Sequence, residues 1–79
     1  MEVVRDYSLL SSSYLKSVLN DNFVSVKEFA LVADIDDSYL YKLLSSKHQV
    51  TKKTIRKIAY GLSKLDNAEW RLHARRLSQ

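Results

Sequence analysis

Seventy-nine residues with no Cys, no Pro and one Gly predict a single domain, and they exclude a disulfide, a thiolate metal site and most helix breaking. The chain has no run of about 18 apolar residues and no basic segment leading into an apolar stretch at Met1–Asp6, so neither a membrane span nor a signal peptide is expected. Charge is divided unevenly: residues 1–40 hold three cations against seven carboxylates, and residues 41–79 hold ten against two. That suggests a polyanion partner for the second half, or else a solvated basic surface.

The spacing of Leu10, Tyr14, Leu15, Val18 and Leu19 predicts a first helix within about residues 8–20, starting at Ser8 or Ser13 because Ser11–Ser13 offer several caps, with Asp21-Asn22 as a turn. The second helix has the strongest start signal in the chain. Ser25-Val26-Lys27-Glu28 matches a capping box, with Val24 and Phe29 placed for a hydrophobic staple. Phe29, Ala30, Val32 and Ala33 face inward, and the helix is expected to end near Ala33. A third helix opens at Asp36 or Asp37, whose carboxylates suit an N-cap and the positive end of the helix dipole. Leu40, Leu43 and Leu44 mark its buried side. Ser38, Tyr41, Lys42 and Ser45 fall together on another side.

Residues 46–50 are expected to form a loop, and strand-like alternation is hard to find anywhere in the chain. Thr51 caps a fourth helix over about 51–65, in which Ile55, Ile58, Ala59 and Leu62 recur at helical spacing. Lys52, Lys53, Arg56 and Lys57 crowd its first turns, where cations oppose the dipole. An anion nearby would explain them, and so would long side chains extended into water. Asp66-Asn67-Ala68-Glu69 predicts a second, weaker capping box and a fifth helix over about 67–77, with Trp70, Ala74 and Leu77 inward and Arg71, Arg75 and Arg76 outward. The whole is an all-α, compact five-helix bundle. Burial is limited in so short a chain, so dimerisation is expected to help it.

Two short helices with a tight turn between them suit the major groove, which accepts one helix while the other props it against the DNA. Residues 25–45 supply the parts: Ala30 as the small residue, Asp34 at a turn that needs positive φ, Ile35 as turn anchor, and Leu40 and Leu43 as anchors of the second helix. This stretch, continued by Thr51–Leu62, resembles the Cro and lambda-repressor-like helix-turn-helix family over about residues 10–65. The resemblance implies a lambda-repressor-like bundle that binds a double-stranded DNA operator. Such a protein would be a small transcriptional repressor of phage, mobile-element or antitoxin type, working as a homodimer in the cytosol of a bacterium or a phage-infected host, associated with the nucleoid.

The resemblance also assigns roles. Asp37, Ser38, Tyr41 and Lys42 match groove-facing positions; Lys42 could donate to guanine O6 and N7, and Asp37 could accept from cytosine N4 or serve only the helix dipole. Ser45 and the first-turn N–H groups of Val26 and Lys27 match phosphate-contacting positions, and Lys47, His48, Lys52 and Lys53 lie in or beside the loop that follows the DNA backbone in such proteins. The sequence departs from the family in Asp34, where Gly is favoured, in Val26, where Gln is frequent, and in the acidic Asp36-Asp37 tip. That tip motivates an alternative: a protein-interaction module, an antirepressor or toxin-neutralising partner on the same fold.

Other features read as structural. Trp70 is expected in the core, the tyrosines as packing residues, and His73 as a partly exposed helix residue; Leu72 is the candidate for a dimer contact. No cofactor or metal is expected from two distant histidines, and no enzyme from a serine run without a base or a lone Gly61 without a phosphate loop.

Overall fold

The computed structural model describes residues 7–45 and 49–78. Among these residues five helices build the bundle: α1 (Ser12–Asp21), α2 (Val26–Ala33), α3 (Asp37–Ser45), α4 (Lys52–Asp66) and α5 (Trp70–Leu77). Two three-residue strands, β1 (Tyr7–Leu9) and β2 (Gln49–Thr51), pair antiparallel with Ser8 opposite Val50. The ladder corrects the loop expected at residues 49–50, and with residues 8–9 in a strand α1 begins near Ser13, the later of its two expected starts, rather than at Ser8. Three residues are too few to show the period-two alternation that marks a strand.

Local chemistry explains the helix ends. The Ser25 Oγ accepts the N–H of Glu28 at 3.1 Å, and Glu28 Oε1 accepts the N–H of Ser25 at 3.0 Å, so the expected capping box is formed at α2. The Ser25 backbone N–H first, and then the Ser25 hydroxyl, hold the Glu28 carboxyl below its ordinary pKa. Thr51 caps α4 through the N–H of Thr54.

The exits of α1 and α2 share one device. Phe23 and Asp34 both stand in the left-handed region, at φ 56° and 57°. Around each, the next residue bonds back to the carbonyl five residues earlier: Val24 N–H to Leu19 O at 3.0 Å, and Ile35 N–H to Ala30 O at 2.9 Å. These are Schellman closures, and they set the half-buried Val24 and Ile35 against the core. Asp34 thus fulfils the turn role expected of it without glycine. Asn67, at φ 60°, ends α4 through a single bond to Ser63 O.

One hydrophobic cluster unites all five helices, with Leu15, Phe29, Leu40, Leu43, Ile58, Leu62 and Leu77 fully enclosed. α2 and α4 approach closely at Gly61. A Cβ on Gly61 would stand 2.9 Å from Ala33 Cβ and 2.9 Å from Phe29 Cε1. Ala30 is buried as expected, yet glycine on the neighbouring helix sets the spacing.

The end of α4 differs from expectation. Asp66 is the last residue of that helix and does not cap α5, whose cap is Glu69. The Asp66 carboxylate instead accepts the N–H of Ala68 at 3.0 Å and meets His73 Nε2 at 3.0 Å. His73 is buried, contrary to expectation, and its Nδ1 lies 2.7 Å from the Tyr14 hydroxyl. With the phenol donating to Nδ1 and Nε2–H donating to Asp66, both ring nitrogens are satisfied. That is why an imidazole can sit on the inward side of α5.

Burial pushes Asp66 up, but the Ala68 N–H and the His73 ring outweigh it and leave the carboxyl below its ordinary value. A depressed folded pKa gives stability that is complete above the unfolded value and lost as the pH falls through the folded one. Acid unfolding of the Asp66→Asn variant, followed by circular dichroism, is therefore expected to show a flatter loss of stability below about pH 4 than the parent. An unchanged acid slope would mean that the carboxylate is not held as drawn.

Candidate nucleic-acid interface

The helix after the Asp34 turn is α3. Asp36 caps it, its Oδ2 accepting the Tyr39 N–H at 3.2 Å, which settles which of the two aspartates performs that role. Leu40, Leu43 and Leu44 are buried against the bundle. Ser38, Tyr41, Lys42 and Ser45 are all exposed, with Tyr41 at 54%. Helical spacing placed these four together, and they do share the solvent side of α3. The Ser45 hydroxyl donates to the Lys42 carbonyl at 2.8 Å, so it must turn away from the helix before it can donate to a phosphate.

Asp37 is half-buried in the first turn of α3. It lines a groove of about 280 Å³ together with Lys27, Ala30, Leu31, Ile35 and Asp36. Lys27 therefore shares a wall with two carboxylates. Val26 is half-buried with its side chain against the core, so only its first-turn backbone N–H is suited to an anion. The Glu28 carboxylate over the same helix end works against a phosphate there.

Lys52 and Lys53 are exposed and border a common groove with Thr51 and Arg56. Lys47 and His48 lie outside the described residues. Among the described residues the cation–carboxylate pair is Arg71–Glu69, beside the hydrogen bond of His73 to Asp66, so Lys42, Lys52, Lys53 and Arg56 have no described carboxylate within ion-pair distance.

Three features of this surface escaped sequence reasoning. Trp70 is half-buried at the rim of the core, with the Tyr60 ring 4.7 Å away and the guanidinium carbons of Arg71 and Arg56 at 4.8 and 5.6 Å from its centroid. Phe23 is 93% exposed and Leu31 82% exposed. Only the crowding of cations on α4 hinted at the first; the left-handed conformation at Phe23, which favours glycine, has no sequence signal. Among the described residues no helix is long and apolar enough to cross a membrane. No protein-family model, curated protein or solved structure matches the chain.

Proposed function

We propose that this chain binds duplex DNA in a sequence-specific manner through α2 and α3, as a small transcriptional repressor of phage, mobile-element or antitoxin type. The strongest support is the exposed side of α3: Ser38, Tyr41 and Lys42 point to solvent while α2, closed by the Asp34 turn, packs behind them. Ser38 and Tyr41 offer hydroxyls and Lys42 an ammonium, groups that can pair with base edges in a groove wide enough for one helix. Lys52 and Lys53 supply cations for phosphates, which position the domain without reading sequence. The resemblance of residues 25–45 to the Cro and lambda-repressor-like family points the same way. A module of this size touches few bases, so two copies are proposed to act on a palindrome, with Leu72, 51% exposed on α5, as their apolar contact.

The second reading is a protein-interaction module. It is favoured by the bare Phe23 and Leu31 and by the carboxylates at Asp34, Asp36 and Asp37. Selection of bound duplexes from a random library, followed by a salt titration, separates the two. A DNA reader touching about four phosphates should enrich one sequence and lose about a hundredfold in affinity between 50 and 200 mM salt. Enrichment of no sequence would leave the protein-interaction reading in its place.

A further inference from the structure

Most of the cations of the second half belong to α4 and α5 and not to α3. Lys52, Ile55, Arg56, Trp70, Ala74 and Arg75 line a groove of about 230 Å³ between α4 and α5. Arg56 also borders a second groove along α4 with Lys53, Lys57 and Tyr60. No carboxylate lines either one.

We infer that this α4–α5 surface is a second phosphate-binding site, which takes up the sugar-phosphate backbone of duplex DNA beyond the bases met by α3; the inference rests on the DNA-binding reading above. Three physical points carry it. Arg56 lies against the Trp70 ring at 5.6 Å, and an aromatic face orders a guanidinium without neutralising it, as a carboxylate would. Arg71 lies on the same ring but is paired to Glu69 at 3.1 Å, so the charge left for a ligand is that of Arg56, with Lys52 and Arg75. The ordered fork of Arg56 is shaped for two phosphate oxygens.

Length decides between a single anion and a chain of them. Lys52 to Lys57 spans about 7.5 Å of helix axis at about 1.5 Å per residue, more than one phosphate covers. These cations also crowd the N-terminal half of α4, where they repel one another and the dipole; a bound polyanion relieves both. The Trp70 ring is flanked by Tyr60 and the two arginines, so a base would have to displace them to stack there, and a contact that keeps them in place reads no sequence.

The test uses the duplex enriched from the random library, in one form carrying about one helical turn of flanking DNA and in another trimmed to the enriched bases. Arg56 and Arg75 are exposed, so the Arg56→Gln/Arg75→Gln double variant leaves the core intact. On the long duplex it should lose about tenfold in affinity, and its salt slope should drop by about two, one step for each phosphate released. On the trimmed duplex it should match the parent, and its sequence preference should not change. An Arg56→Lys/Arg75→Lys variant should recover most of the slope, which a merely structural defect would not allow.

If the parent prefers a sequence while the double variant keeps the full slope on the long duplex, the groove assignment is overturned and the α3 reading stands. An altered base preference in the double variant overturns it too. If the parent binds no duplex, both fall. Binding of polyglutamate that the double variant abolishes would then identify an acidic polypeptide as the occupant.

Discussion

Gly61→Leu is expected to lower the stability of the bundle by about 3 kcal/mol or more, the upper end of what overpacking costs in a closed core. A chain of this size has about 4–12 kcal/mol in total, so the loss should appear as a fall in the thermal midpoint of at least about 12 °C. The cause is the crossing of α2 and α4. Even a single Cβ at position 61 would meet Ala33 Cβ and the Phe29 ring edge at 2.9 Å, and neither is the loose end of a flexible side chain. Phe29 is wholly enclosed and Ala33 sits on the helix itself, so relief requires α4 to move away from the helix-turn-helix pair. Glycine within a helix costs about 1 kcal/mol relative to alanine, and at an exposed site Gly61→Ala would be a gain. Here it should be neutral at best, and Gly61→Leu should unfold the domain well below the parent's midpoint. A Leu variant with the parent's midpoint would mean that the two helices cross elsewhere.

Lys42→Ala is expected to weaken binding to the enriched duplex by about 1–3 kcal/mol, a fall of about 5- to 150-fold in affinity. Lys42 lies on the exposed side of α3 between Tyr41 and Ser45, free of any described carboxylate. If its ammonium meets a purine edge, removing it should also relax the preference at one base pair. Lys53→Ala provides the contrast. Its loss should weaken all duplexes alike and reduce the salt slope by about one. Competition binding against a panel of single-base variants of the enriched site reads both effects. An unchanged preference in Lys42→Ala, with a reduced slope, would move Lys42 from base reading to phosphate contact.

Much of this geometry follows from spacing along the chain. The Ser25–Glu28 box, the Thr51 cap and the Asp36 cap are contacts between residues three apart, so the residue types alone announce them. The inward Leu40, Leu43 and Leu44 and the outward Ser38, Tyr41, Lys42 and Ser45 follow from the helical period. Asp34 was legible as the turn because short polar side chains tolerate positive φ. Phe23 adopts the same conformation without that excuse, so nothing in its residue type announces it.

The sequence by itself determined which segments are helical, where most of them start and which side of each is apolar, because those properties depend on hydrogen bonds and periodicities that close within one or two turns. Tertiary structure alone decided the rest. His73 is buried only because Tyr14, on a different helix, and Asp66, across a turn, satisfy its two nitrogens. Gly61 is required only because Phe29 and Ala33 press against that point of α4. Trp70 gathers arginines from α4 and α5 that spacing within either helix does not relate. In each case the partner stands on another element, and a local pattern carries no information about what a side chain will meet once the elements pack.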